Sequence, residues 1–260
     1  TSCGLGLAHG SGRGAGTGLG LAHGSGSGTS CGAGLYSSDA ATQCSNCTEG
    51  KYSAAEATTC TSCSVGYYNR NLGAAACFAC GAGTFASSEG STACTSCKAG
   101  YYASSTGASS CAACDGGFYS EAGEASCTKC NAGTFSGLNA TRCRSCSVGR
   151  TSTTGSAECS ACGAGTYAAE VGASSCTSCG FGTFQTATGQ TSCEECPQGR
   201  SQPYTGQSEC GECSLGTYSD DRGASSCASC GAGKFQDAAG QTSCEECPKG
   251  RAQADTGEDA

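Results

Sequence analysis

Aromatic residues are sparse along the chain, and most of them recur with a 16–17-residue period. A Tyr or Phe typically stands two residues after a glycine, as in Gly50-Lys51-Tyr52 and Gly83-Thr84-Phe85. A mostly polar stretch follows, and in ten of thirteen units a second glycine lies near its end. Two glycines that bracket a short polar stretch are typical of a tight hairpin, because φ can be positive there and backbone can approach backbone. We therefore predict a series of small β-hairpins, each with one aromatic side chain as its core.

Cysteine repeats in the same register. Twenty-six of the 28 cysteines form thirteen C-x-x-C pairs, and successive pairs follow one another with the same period as the aromatic residues. A glycine stands three residues after the second cysteine of every pair, and Cys3 and Cys31 follow the same rule. A unit of this size is too small to fold alone, so we expect it to complete its packing on its neighbours, as in solenoid proteins. The predicted fold is small and disulfide-rich: an elongated, solenoid-like rod of about thirteen 16–17-residue β-hairpin modules without a large hydrophobic core.

Composition supports this prediction. Cysteine makes up about one residue in nine, whereas Leu, Ile, Val and Phe together number only 18 of 260. Ordering each residue costs roughly 1–2 kcal/mol of backbone entropy, which so little apolar surface cannot offset. The two histidines, His9 and His23, lie in Gly-rich contexts without an acidic or nucleophilic partner at a defined spacing. We therefore expect no catalytic residues, no cofactor and no enzymatic activity.

The charges are scattered. The sequence contains 13 Lys and Arg and 21 Asp and Glu, which gives a formal net charge of −8. Nucleic-acid binding requires clustered cations, so this pattern argues against it. No run of apolar residues approaches the length of a membrane span, so we expect no membrane span in this segment.

The chain divides into two parts. Residues 1–28 are a Gly-rich, low-complexity segment in which GLGLAHGSG occurs at 4–12 and again at 18–26, a composition typical of a flexible linker; an ordered strand packed on a neighbouring subunit is the alternative. Residues 29–260 are the tandem cysteine-rich array, and its part 162–260 contains a 51-residue, three-module super-repeat. The repeat register is cut at both ends, so we expect the chain to be a segment of a longer array.

Three kinds of chemistry fit C-x-x-C. Zinc ribbons use two such pairs with a similar separation, but thirteen pairs cannot be grouped in twos and their spacing is uniform. A redox motif requires a βαβ scaffold, for which the sequence has no pattern. Structural disulfides in an oxidising compartment are the favoured interpretation, with a zinc scaffold as the weaker one.

A bridge within one C-x-x-C pair constrains little. A bridge from the second cysteine of one pair to the first of the next closes a loop of about 14 residues, worth roughly 3 kcal/mol in the chain-entropy model. We favour the second scheme, while the first stays open from sequence alone. The predicted bonds join Cys31 with Cys44, Cys47 with Cys60, Cys63 with Cys77, Cys80 with Cys94, Cys97 with Cys111, Cys114 with Cys127, Cys130 with Cys143, Cys146 with Cys159, Cys162 with Cys176, Cys179 with Cys193, Cys196 with Cys210, Cys213 with Cys227 and Cys230 with Cys244. Cys3 and Cys247 are left over, and we expect Cys247 to pair with a cysteine beyond residue 260.

The unit CGAGTFASSEGSTACTSC, residues 80–97, resembles the ephrin-receptor-like cysteine-rich repeat. It is also similar to the first submodule of tumour-necrosis-factor-receptor cysteine-rich domains and, more loosely, to EGF-like modules. The resemblance implies disulfide-ladder stalks of secreted or surface proteins, including very large ones of algae and other protists, and it implies the same one-to-next pairing. The pattern departs at Thr151, Ser201 and Ala252, where the aromatic residue is lost and an arginine follows the glycine.

Two N-glycosylation sequons are present, at Asn46 and Asn139. Asn139 replaces a turn glycine, and Asn tolerates positive φ. Asn46 lies inside a C-x-x-C pair, where we expect steric hindrance. Arg150, Arg200 and Arg251 recur every three modules, either as a line of charge along one side or as a trace of block duplication.

The sequence predicts a structural extracellular glycoprotein that forms or decorates a long surface or matrix filament, such as a flagellar hair or a glycosylated fibril. The expected partners are further copies of the chain or other filament subunits, together with glycans. The expected location is extracellular: secreted, on the cell surface or on a flagellar surface. The alternative is a ligand-binding or adhesive receptor ectodomain stalk.

Overall fold

The computed structural model describes residues 30–38 and 43–249. The predictions for the Gly-rich segment 1–28, for Cys3, and for the super-repeat beyond residue 249, including Arg251 and Ala252, lie outside the described residues.

Twenty-six strands of two residues each form thirteen antiparallel hairpins, and the described part of the chain contains no helix. The pairs are β1 (Leu35–Tyr36) with β2 (Ser45–Asn46), β3 (Lys51–Tyr52) with β4 (Thr61–Ser62), β5 (Tyr67–Tyr68) with β6 (Phe78–Ala79), β7 (Thr84–Phe85) with β8 (Thr95–Ser96), β9 (Tyr101–Tyr102) with β10 (Ala112–Ala113), β11 (Phe118–Tyr119) with β12 (Thr128–Lys129), β13 (Thr134–Phe135) with β14 (Arg144–Ser145), β15 (Arg150–Thr151) with β16 (Ser160–Ala161), β17 (Thr166–Tyr167) with β18 (Thr177–Ser178), β19 (Thr183–Phe184) with β20 (Glu194–Glu195), β21 (Arg200–Ser201) with β22 (Gly211–Glu212), β23 (Thr217–Tyr218) with β24 (Ala228–Ser229), and β25 (Lys234–Phe235) with β26 (Glu245–Glu246). The predicted fold class of small disulfide-closed hairpin modules is confirmed.

The register explains the C-x-x-C spacing. The first strand of each hairpin ends on the aromatic position, and the second strand is the x-x between the two cysteines. Phe85, for example, pairs with Thr95, and Thr84 pairs with Ser96. An isolated two-stranded hairpin is marginally stable at best, and these strands have only two residues each. The disulfides and the neighbouring modules must therefore supply most of the stability.

Each module, the stretch from one second cysteine to the next first cysteine, is hydrogen-bonded by its backbone to the module that follows. The glycine three residues after the second cysteine, here the first-turn glycine, donates to the next module, as Gly83 N–H does to Ala103 O at 2.8 Å. The residue four before the first cysteine, here the second-turn residue, donates back, as Gly107 N–H does to Cys80 O at 2.8 Å. Both bonds recur from module to module, so the hairpins form a regular stack.

The interior of the stack differs from the prediction. The aromatic side chains are only half-buried, whereas the cysteines that open the thirteen modules are at most 2% exposed; these are Cys31, counted below with the second cysteines, and the second cysteines from Cys47 to Cys230. The residue directly after the aromatic position, here the interior residue, is buried beside them in twelve modules. These residues are Ser53, Asn69, Ala86, Ala103, Ser120, Ser136, Ser152, Ala168, Gln185, Gln202, Ser219 and Gln236. The aromatic rings thus flank a column of disulfides and small or amide side chains.

This polar interior is fully hydrogen-bonded. Ser53 and Ser136 donate through Oγ to backbone carbonyls of the preceding module, Leu35 O and Phe118 O, each at 2.9 Å. Gln185 Nε2 instead donates to Ser192 O of its own module at 3.0 Å. No buried side-chain nitrogen or oxygen lacks a partner within the described ranges. A buried polar group is costly only when it is unpaired, so the stack can continue without an oily core.

Candidate functional site

The repeated structural unit is the disulfide-closed hairpin. Every bond runs from one second cysteine to the next first cysteine, and none of the thirteen lies within a C-x-x-C pair. The Cα atoms of bonded cysteines are 5.6–5.8 Å apart, within the usual range for disulfides. These are the pairs Cys31–Cys44 to Cys230–Cys244 that the sequence favours. A zinc site requires thiolates, which these 26 bonded cysteines do not provide.

Each disulfide has a buried end and a more exposed end. The second cysteine is buried, whereas the first is half-buried in twelve bonds. Cys210 is the exception at 5% exposure, so the Cys196–Cys210 bond is buried at both ends. An attacking thiolate therefore reaches the sulfur of the first cysteine, and the thiolate of the buried second cysteine is the group expelled.

We expect limited treatment with glutathione to place mixed disulfides on first cysteines such as Cys94 rather than on their bonded second cysteines such as Cys80. The Cys196–Cys210 bond should be reduced last, because neither of its sulfurs is accessible. Alkylation of released thiols followed by peptide mapping measures both results. Equal labelling of the two ends of each bond would show that burial does not direct the attack.

Turn glycines bring alternate modules into backbone contact. Gly133 is a first-turn glycine with a φ of 81°, and Gly172 is the second-turn glycine two modules further along with a φ of 80°. A Cβ on Gly133 would overlap the carbonyl oxygen of Gly172, and the same overlap recurs at the first-turn glycines from Gly34 to Gly199. A Cβ on Gly172 would instead meet the Ser145 side chain at 3.8 Å, an ordinary contact. This asymmetry explains why the first-turn position is always glycine.

The second-turn position accepts other residues. Glu56 and Asn139 occupy it with φ values of 64° and 57°, the only described non-glycine residues with positive φ. A side chain has room at most of these positions, so mainly the backbone conformation must be tolerated; at Gly73 an added Cβ would lie 2.7 Å from Asn46 Oδ1, a side-chain atom. The first glycine of the sequence pattern is therefore a steric requirement, and the second is a conformational preference.

Shallow hollows lie between successive modules. Three equivalent ones have volumes of about 340, 290 and 270 Å³. In each, the lining includes the aromatic residue of one module and the first cysteine of the next: Phe135 with Cys159, Tyr36 with Cys60, and Tyr52 with Cys77.

In the two described modules that lack an aromatic residue, a hydroxyl group lies close to the first cysteine of the next module. Thr151 Oγ1 lies 3.6 Å from Cys176 Sγ, and Ser201 Oγ lies 3.2 Å from Cys227 Sγ. The two arginines of these modules bind within their own hairpins, where Arg150 donates to Cys159 O at 3.0 Å and Arg200 to Cys210 O at 3.1 Å. The departures from the repeat pattern therefore preserve the stack.

The two sequons occupy different environments. Asn139 is exposed at a second turn, where its backbone N–H donates to Cys114 O at 2.9 Å. Asn46 is also exposed but lies in β2, opposite Leu35. Its side-chain oxygen is against the turn at Gly73, and the next residue, Cys47, is fully buried in its bond with Cys60.

Sequence reasoning missed the interior position. A signal was present: the residue after the aromatic position is Ser, Ala, Asn or Gln in all thirteen modules. A position that never carries a charge or a large apolar group is typical of a small, polar, enclosed space.

Comparison with known proteins supports the repeat assignment. A family model described as tyrosine-protein kinase ephrin type A/B receptor-like matches residues 50–93, 83–118, 149–189, 171–213, 182–226 and 216–258, about two thirds of the chain. The chain belongs to this ephrin-receptor-like repeat family. The predicted recognition is therefore confirmed. No curated protein matches the chain.

Family membership gives a coarse functional statement. Ephrin-receptor-like cysteine-rich repeats are a structural, non-catalytic module type, and the array is consistent with an extracellular domain. Among the described residues, no helix has the length and apolarity to cross a bilayer, and no cluster of three or more His, Cys, Asp or Glu side chains could hold a metal ion.

Proposed function

We propose that the chain is a structural extracellular array that forms or decorates a long surface or matrix filament, with further copies or other filament subunits as its partners. The supporting observation is the covalent route through the stack. From one second cysteine the route crosses a disulfide to the next first cysteine and then follows three peptide links, as in Cys80 to Cys94 to Cys97. Tension along the chain follows this route and bypasses the rest of each module.

The contacts between modules also suit a filament. The same backbone hydrogen bonds and turn contacts recur along the described array, so no module depends on a distinct core. Stability in such a stack is a sum of module and neighbour terms, and more modules can be added without a limit of size. Disulfides persist in oxidising compartments, which supports placement outside the cell, whether secreted, on the cell surface or on a flagellar surface.

A receptor or adhesion stalk is the second candidate, and membership of the ephrin-receptor-like family supports it. A ligand-binding ectodomain concentrates its contacts on a few distinctive modules, whereas a fibre distributes them. The two candidates therefore differ in whether binding of a partner depends on one module or on array length.

Electron microscopy of the purified oxidised chain tests the proposal. We expect thin rods of uniform width, and we expect reduction and alkylation to convert them into compact or irregular coils, because the two-residue strands cannot hold the modules alone. Alkylation without reductant is the control. Rods that keep their shape and stiffness after complete reduction would contradict a mechanical role for the disulfides.

A further inference from the structure

Asn139 lies in an exposed turn whose backbone is held in place. It stands at the apex of a second turn, next to Leu138, whose side chain is 73% exposed. Its backbone is pinned by the N–H bond to Cys114 O and by the close approach of its carbonyl oxygen to Gly100. No hydrogen bond to another described residue holds the Asn139 side chain. The turn thus presents a free amide on a rigid base, and Thr141 of the same sequon is exposed beside it.

Asn46 carries the same motif within strand β2 rather than at a turn. Its strand partner is Leu35, and its side chain lies against the turn at Gly73 in the module two further along. The middle residue of this sequon, Cys47, is bonded to Cys60, has no exposed surface and donates its N–H to Gly34 O at 3.0 Å. Closure of this disulfide fixes the sequon in an extended conformation between two modules.

We propose that Asn139 is an N-glycosylation site of the folded array and that formation of the Cys47–Cys60 disulfide silences the sequon at Asn46. Disulfide formation removes two protons and two electrons from the two thiols, and a disulfide of an oxidoreductase in the secretory compartment accepts them. Glycan transfer forms a bond between the Asn Nδ2 and C1 of the sugar and breaks the C1–oxygen bond of a lipid-diphosphate-linked oligosaccharide. The lipid diphosphate leaves, and Nδ2 loses one proton.

The inference rests on the proposed extracellular location, since only a chain that enters the secretory pathway meets this transferase. Asparagine at position 139 has two possible roles, a structural one in the turn and a chemical one as a glycan acceptor. Asn tolerates the left-handed backbone conformation of this turn, a structural role that requires no sugar. Only the acceptor role predicts that a glycan is attached to Asn139 and that its attachment requires Thr141.

The test uses the full chain directed into the secretory pathway of a eukaryotic host, with an added C-terminal tag that carries a third sequon as an internal reference. Glycopeptide mapping measures occupancy at each asparagine. Cys60→Ser leaves Asn46-Cys47-Thr48 unchanged but removes the partner of Cys47. Cys94→Ser is the matched control, because it opens a module that has no sequon and contains neither Leu35 nor Gly73, the neighbours of Asn46. A pulse of dithiothreitol during synthesis of the unaltered chain tests the same step without a substitution.

We expect high occupancy at Asn139, its loss in Thr141→Ala, and little at Asn46. Occupancy at Asn46 should rise several-fold in Cys60→Ser and in the reductant pulse, and stay low in Cys94→Ser. If Asn139 is unmodified in chains whose tag sequon is modified, the assignment of Asn139 as a glycosylation site is overturned. Equal occupancy of Asn46 in the unaltered chain and in Cys60→Ser would overturn the silencing, and so would an Asn46 that stays unmodified in both Cys60→Ser and the pulse. The filament proposal is tested by rod morphology, so its failure is distinct from either result.

Discussion

Between Cys31 and Cys244, the oxidised array should extend to only about a quarter of the length of the reduced chain when the protein is pulled from its ends. Across one module the covalent route is a disulfide, with Cα atoms 5.6 Å apart at Cys80–Cys94, and three further Cα steps of about 3.6 Å each, or about 16 Å in total. The same module as an open chain of about 17 residues reaches about 60 Å. Thirteen such bonds therefore hide roughly 500–600 Å of chain.

Single-molecule force spectroscopy with handles at the two termini measures this gain before and after reduction. Removing one bond with the double substitution Cys80→Ser and Cys94→Ser should add about 45 Å to the oxidised length, close to one thirteenth of the full gain. Alkylation without reductant should add nothing. Bridges within C-x-x-C would hide only a few residues each, so an oxidised length close to the reduced one would exclude the one-to-next pairing. It would also remove the physical basis of the filament proposal.

The sequence predicted the hairpins because they depend on local residue types. Glycines at both turns and cysteines at fixed spacing allow few conformations within each short module, and the loop-closure argument ranks the pairing. The C-x-x-C spacing itself follows from the register, since Thr95 and Ser96 form a strand between Cys94 and Cys97.

The positions of the aromatic side chains could not be predicted in the same way. Phe85 is the largest apolar residue of its module, and burial of apolar area favours an interior position for it. The interior instead contains Ala86 and the second cysteine Cys80, because the column between stacked hairpins has room only for small side chains or for amides that bond to backbone. Residue hydrophobicity does not report the width of a space that the stack itself creates.

The contact between alternate modules also lies beyond a local pattern. Gly83 and Gly123 belong to modules that are not adjacent in the chain, yet a Cβ on the first would overlap the carbonyl oxygen of the second. The sequence shows that the first-turn position is always glycine, but positive φ alone would explain that equally well. Glu56 and Asn139 at the second turn distinguish the two explanations, because they have positive φ without being glycine. Positive φ alone therefore does not require glycine.

The substitution pair Gly133→Ala and Gly172→Ala should separate conformational strain from steric overlap. Both residues have φ near 80°, so alanine costs about 1–2 kcal/mol in either place from the left-handed conformation. Gly133→Ala also forces a methyl group into the Gly172 carbonyl, which neither backbone can avoid, and we expect a total local cost of about 3–5 kcal/mol. Gly172→Ala meets the Ser145 side chain at 3.8 Å and the Gly133 carbonyl oxygen at 3.9 Å, both ordinary contacts, and should stay near the lower value.

Amide hydrogen exchange is the suitable measurement, because a disulfide-linked array has no single unfolding transition and its modules open locally. The informative amides are Gly149 and Gly155, which donate to Ala168 O and Cys130 O at 2.8 Å. They should exchange at least about tenfold faster in Gly133→Ala than in Gly172→Ala, since each 1.4 kcal/mol of lost local stability is about a factor of ten. The amide of Gly66, several modules away, should not change, because contacts in a repeat stack are confined to nearby modules. If the two variants exchange alike, φ strain alone accounts for the invariant glycine, and the contact between alternate modules contributes no measurable stability to the stack.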